Sequence, residues 1–237
     1  MYLFAHVFSG ILLGLVFWHL TADRRAVPVC IAGAVLPDLI DKPLALFIPG
    51  IFGSSRTIGH TLLISATLLI AGLLLWRYRH TLLGVAFAGA VFSHQVFDSI
   101  WNLPGTWYFP LLGPFPVILV QDYVRHSLWL ELASPSELVF ACASAVFIMG
   151  WYLTGDTAFS PGNSATLRWL AASIACILGV MGVCLVIAGL NGVPGTFFAP
   201  AYTPLTSLMA GLLASCGAAV LVLSIVMAPG IPCSRIT

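Results

Sequence analysis

The sequence predicts an all-α fold, a polytopic membrane helix bundle of about six or seven spans, some of them short or broken. Three observations carry this. Of 237 residues, 60% are hydrophobic and 7% charged, whereas a soluble domain carries about a quarter charged residues. The mean hydropathy is +1.04, and so few charges could not cover a soluble core of this size. Apolar runs reach membrane length without the alternation of a barrel strand, which leaves helices as the spanning structure. A net charge of +1 provides no basic footprint for nucleic acid. The six cysteines (Cys30, Cys142, Cys176, Cys184, Cys216, Cys233) are scattered without a CxxC pair and read as small packing residues.

The first span is Leu3–Leu20, with His6 near its start and Gly10 and Gly14 as a small-xxx-small pair suited to close helix packing. The start has neither a basic n-region nor a small-residue cleavage site, so it reads as a retained span. After Arg24 and Arg25 comes Ala26–Leu36, about 16 Å long as a helix at 1.5 Å per residue. It is expected to end at Pro37-Asp38-Leu39-Ile40-Asp41-Lys42-Pro43, as a short span or re-entrant helix that delivers two carboxylates below the membrane surface. Leu44–Gly53, broken by Pro49-Gly50, belongs at the interface. Thr57-Ile58-Gly59-His60 then opens the helix Thr61–Trp76. A tight basic turn, Arg77-Tyr78-Arg79-His80, leads into Thr81–Ile100. Trp107–Val120, rich in proline and aromatics, suits the interface and cannot form one regular helix. Gln121–Glu137 is the most polar stretch. Three long apolar helices follow, Leu138–Leu153, Leu167–Leu190 and Pro204–Met227. The chain thus divides into a metal-site membrane domain, residues 1–130, and a three-helix extension of the same bundle, residues 131–237.

With the N-terminus outside, Arg24, Arg25, Arg77, Arg79, Arg168 and Arg235 fall inside, against Lys42, Arg56 and Arg125 outside, as the positive-inside rule asks. The same topology brings His6, Asp38, Asp41, His60, His94 and Asp98 to one membrane face. His94 and Asp98, four apart in an apolar helix, share one side of it. Each residue alone has an ordinary explanation. His6 could be a hydrogen-bonded interfacial histidine, Asp38 a turn cap, Asp41-Lys42 a surface pair, and His94 with Asp98 a helix-helix tie. Six such groups at one depth are costly in hydrocarbon and point to a metal or proton-handling site. Histidine and carboxylate are the ligand types for zinc, manganese or iron, and i,i+3 or i,i+4 pairs let one helix supply two ligands. Arg56, four before His60, either holds a substrate anion or balances the carboxylates. Glu137, opening a span, either reaches the site or serves as a favourable charge at a helix N-terminus.

The segments Gly33–Pro43 (GAVLPDLIDKP), Ser55–Leu63 (SRTIGHTLL) and Ser93–Asn102 (SHQVFDSIWN), after an early His6, resemble the membrane-bound metal-dependent hydrolases of the YdjM type over residues 1–120. That family's early histidine, Pro-Asp-x-Asp-like, Arg-x-x-Thr-His-Ser-like and His-x-x-x-Asp motifs fall on His6, on Asp38 and Asp41, on Arg56 and His60, and on His94 and Asp98. Here the second aspartate follows the first by three rather than two, Ser55 stands where many members have histidine, and Gly59 and Thr61 replace Thr and Ser. The resemblance implies a divalent metal cofactor, zinc first, held by Asp38, His60, His94 and Asp98. Asp41, His6 and Arg56 are left to proton handling and substrate orientation. The expected function is a multi-pass hydrolase of the cell (plasma) membrane acting on an ester or phosphoester, with the lipid bilayer as its surroundings and a lipid-linked substrate as one form. An ion- or proton-coupled transporter using the same residues and a non-catalytic membrane protein are the alternatives.

Overall fold

The computed structural model describes residues 3–48, 54–115, 129, 133–154 and 165–226. Eight α-helices occur among them: α1 Leu3–Thr21, α2 Ala26–Phe47, α3 Leu62–Arg79, α4 Leu83–Phe97, the short α5 Pro104–Trp107, α6 Pro135–Thr154, α7 Ala165–Leu190 and α8 Pro204–Val226. Five of them, α1, α3, α6, α7 and α8, are long and apolar enough to cross a membrane, which places the chain in a lipid bilayer. The expected three C-terminal helices are α6, α7 and α8. The polar residues Gln121, Asp122, Arg125, His126 and Glu131, and residues 49–53, lie outside the described part.

One expectation is corrected. The helix from Ala26 does not stop before Pro37 but runs through Pro37 and Pro43 to Phe47. Each proline removes one intrahelical donor and crowds the carbonyl four residues back. In a packed membrane helix, neighbouring groups absorb that loss. At 22 residues α2 is a full-length helix. Asp38 and Asp41 are therefore carried on a helical face and are buried, while Leu39 between them points outward. The site helix α4 is shorter than Thr81–Ile100. Ser99 enters the left-handed region at φ 52° and ends it, so Asp98 sits at its cap.

Helix order follows from where small residues let backbones meet. A Cβ on Gly10 would lie 2.9 Å from the Cys30 carbonyl, and one on Gly14 2.6 Å from Val27 Cα, so α1 and α2 run antiparallel in close contact. The expected Gly10/Gly14 pair does this packing. Gly33 meets the Phe87 carbonyl in the same way, and Cys30 packs with Ala34, Ala86 and Ala90, so α2 lies alongside α4. Gly72 and Gly84 join α3 to α4 across the basic turn. The other face of α1 enters the larger core. There Phe8 and Ile11 pack with Phe140 and Phe147 of α6, Leu178, Met181 and Leu185 of α7, and Leu213 and Leu221 of α8. Phe8 seats against Gly217, where a Cβ would lie 2.3 Å from its ring. The result of these pairings is that the start of α1, the second half of α2, the approach to α3 and the end of α4 gather at one end of the bundle.

Gly14→Ala drives a methyl into the Val27 backbone and must push α2 off α1. Overpacking of this kind costs about 1–3 kcal/mol. A thermal midpoint in detergent equal to that of the native protein would contradict the packing described.

Candidate metal centre

Four elements converge. The first turn of α1 supplies His6, α2 supplies Asp38 and Asp41, the 3₁₀ turn Ile58–His60 supplies His60, and the last turn of α4 supplies His94 with Asp98 at its cap. His6, Asp41, His60 and His94 are fully buried, and Asp38 nearly so.

Two hydrogen bonds set the chemistry. His94 Nδ1 donates to the Ala34 carbonyl at 2.6 Å, and His60 Nδ1 donates to Asp41 Oδ2 at 2.7 Å. A carbonyl and a carboxylate only accept, so both protons are on Nδ1, and in the neutral rings both Nε2 atoms present lone pairs. Those two Nε2 atoms face each other at 3.1 Å. Opposed lone pairs at that distance repel unless a cation, metal or proton, stands with them. Asp38 Oδ1 lies 3.9 Å from His60 Nε2 and 3.8 Å from His94 Nε2, and Asp98 Oδ2 lies 3.8 Å from His60 Nε2. Ligand bonds near 2 Å set donors around one ion about 3–4 Å apart, so the spacing fits a metal.

His6 completes the cluster. Its Nε2 is 3.1 Å from Asp98 Oδ1, and its ring stacks on His94 at 3.7 Å between centroids. Two groups of candidate ligands result, His6-His94-Asp98 and Asp38-His60-His94, each with its ligand atoms within 4.8 Å of one another. They share His94, whose single available lone pair serves one ion. The two groups therefore overlap at His94. These buried histidines and carboxylates could hold a metal ion.

Behind the ligand atoms a second layer holds the loop. Asp41 accepts from Thr57 N at 2.6 Å and Gly59 N at 2.8 Å as well as from His60. It thus stands behind His60 rather than beside the opposed nitrogens. Gln95 donates to the carbonyls of Gly59 and Thr61, each at 3.0 Å. Gly59 lies against Pro37, whose carbonyl a Cβ would approach to 2.7 Å, which explains glycine at a position where the related motif has threonine. Thr61 caps α3 by accepting from Ile64 N at 3.2 Å. Sequence reading missed Gln95, although a glutamine beside His94 in an apolar helix was a usable signal. It also missed the Ala34 carbonyl, for which no side-chain signal exists.

Two cations flank the carboxylates. Arg56 reaches Asp98 Oδ2 through Nε at 3.1 Å and Nη2 at 3.0 Å, and Lys42 Nζ reaches Asp38 Oδ2 at 2.7 Å. Both side chains are over one-third exposed, whereas the carboxylates they touch are buried. Lys42 pairs with Asp38, four residues before it on α2.

His60 lies outside the spanning helices. Burial opposes its charge, but the bonds to Asp41 and then Asp98 prevail and hold it at about 8. In the metal-free protein the proton then occupies the gap between the two Nε2 atoms. A histidine raised above its unfolded value near 6.5 stabilises the fold fully below that pH and loses the contribution as pH rises through about 8. The effect is of order 2 kcal/mol. The thermal midpoint of metal-free protein should therefore fall between pH 6.5 and pH 8.5, and His60→Gln should flatten that slope. A pH-independent midpoint in the native protein would contradict it.

No curated protein and no solved structure matches the chain. A family model does, described as YdjM inner membrane protein and matching residues 1–189. The match covers every residue of the centre and extends beyond the motif-bearing first 120 residues, through α6 and almost to the end of α7. The chain belongs to the YdjM inner membrane protein family.

Proposed function

We propose that the protein is a multi-pass hydrolase of the cell membrane that uses a divalent metal ion, zinc first, to cleave an anionic ester. The observation that carries this reading is the pair of opposed Nε2 atoms of His60 and His94, 3.1 Å apart with Asp38 and Asp98 beside them. His60, His94, Asp38 and Asp98 would hold the ion, which supplies Lewis acidity and lowers the pKa of a water. Asp41 and the Ala34 carbonyl keep the two rings in the ligand tautomer, as partners on the far nitrogen generally do. His6, bonded to Asp98, handles a proton at Nε2.

Charge favours a phosphoester over a neutral ester. With neutral histidines, and counting the described side chains of the cluster, Asp38, Asp41 and Asp98 bring three negative charges against the two positive charges of Arg56 and Lys42. A divalent ion turns the net charge from minus one to plus one, which suits an anion. Arg56, on the exposed side of Asp98, would orient that anion. Apolar side chains at the same end, Leu39, Phe47 and Leu111, are exposed, so a lipid-linked substrate could present its head group from the interface.

The same gap supports a second reading. His60 at about 8 lets a proton occupy the position at neutral pH, which is what a proton-coupled transporter would use.

Purified protein should carry at least one divalent ion per chain, held by the four-residue ligand set named above. His94→Ala should lose it, along with hydrolysis of aryl phosphate or phospholipid in mixed micelles. Wild-type protein without metal, or unchanged metal in His94→Ala, would overturn the hydrolase reading. Proton-driven flux in proteoliposomes that disappears in Asp98→Asn would favour the transporter. Arg56→Ala should raise KM for a phosphoester by about tenfold, the weight of a lost charged hydrogen bond, with metal content retained. An unchanged KM would remove Arg56 from substrate binding.

A further inference from the structure

We propose that Glu137, on α6, is a positioning residue for the metal centre, setting the depth and rotation of His6 through the N-terminal amides of α1. The proposal rests on the reading of the cluster as a metal centre. The first N–H groups of any helix have no intrahelical acceptor, and in apolar surroundings each needs a partner. The first turn of α1 carries no acidic residue of its own. Glu137 Oε2 instead accepts from Phe4 N at 2.9 Å and Ala5 N at 3.2 Å, from 133 and 132 positions away. Its other oxygen accepts from the Tyr202 hydroxyl at 2.9 Å. Glu137 and Tyr202 are both buried.

The carboxylate is itself held firmly. Ser136 N donates to the Phe198 carbonyl at 2.8 Å, and Gly195 N donates to the Tyr202 carbonyl at 3.1 Å, so the start of α6 and the 195–202 turn form one support. Directly after the two capped amides comes His6. Its Nε2 bonds Asp98, and its Nδ1 is buried without a hydrogen-bond partner among the described residues. The ring's placement therefore depends on Asp98, on its stack against His94 and on where α1 sits. A slip of α1 along its axis by about one helical rise, about 1.5 Å, would disrupt both ring contacts. Through this carboxylate, the C-terminal helices reach a centre to which they contribute no candidate ligand among the described residues.

The test uses Co2+ as a spectroscopic probe in the full-length protein in detergent. Glu137→Ala should weaken Co2+ binding by about tenfold or more, in line with other supporting residues at metal sites, and should alter the visible absorption bands. Glu137→Gln, which keeps an acceptor for the amides, should restore most of both, and Tyr202→Phe should fall between. Folded Glu137→Ala protein with native Co2+ affinity and bands would overturn the proposal. If Glu137→Ala does not fold, Glu137→Asp, one methylene short of the amides, decides in the same way: weakened binding with altered bands supports the role and native behaviour overturns it. Absence of Co2+ binding by the native protein would sink the metal reading alone. The ring 15N resonances of His6, assigned with His6→Gln, then decide on the positioning role, supporting it if Glu137→Ala shifts them and refuting it if they stay in place.

Discussion

Everything at the site depends on the protonation of two imidazole rings. His60 and His94 each donate Nδ1–H to a group that can only accept, and the remaining nitrogens meet at 3.1 Å. Both rings are fully buried, and a cation, proton or metal, between the two nitrogens would relieve the repulsion of their lone pairs. The surrounding carboxylates supply charge for such a cation, and each is in turn balanced on its outer side, Asp38 by Lys42 and Asp98 by Arg56. The centre is thus a nest of opposed charges in a low-dielectric interior, where pairing decides whether burial is affordable.

Backbone proximity makes the pair possible. Ala34 can accept from His94 only because α2 and α4 approach through Gly33, Cys30, Ala34, Ala86 and Ala90. The loop carrying His60 reaches Asp41 only because Gly59 has no side chain to strike Pro37. Pro37, which seemed to end a helix, instead forms the surface on which that loop rests. Small residues therefore act here as geometric constraints on the ligands, not only as packing in the membrane.

The two ends of the chain meet at α1. One side of α1 presses on α2 through glycines, and the other carries Phe8 and Ile11 into the core built with α6, α7 and α8. Glu137 ties the same helix at its first turn, beside His6. Glu137 does stand in the first turn of its own helix, but the amides it accepts from are those of α1. A local charge pattern cannot reveal which helix start a buried carboxylate will meet, because that depends on contacts more than 130 residues apart.

Composition alone was enough for a helical membrane protein, since hydrocarbon admits only structures that satisfy their own backbone, and apolar runs of this length do so as helices. Motif spacing was enough for the candidate set, because charged and imidazole groups in apolar helices are expensive and their depths agreed once the helices were counted. The early histidine, the two aspartates of α2, His60 and the His94/Asp98 pair were all legible in this way. What the chain order could not contain was the role of each atom. The continuation of α2 past two prolines, the place of Asp41 behind His60, the support from Gln95 and the accepting carbonyl of Ala34 all come from one helix or loop pressing on another. Tautomers and ligand directions are set by such long-range partners, so only the folded bundle decides which nitrogen is left to face the centre.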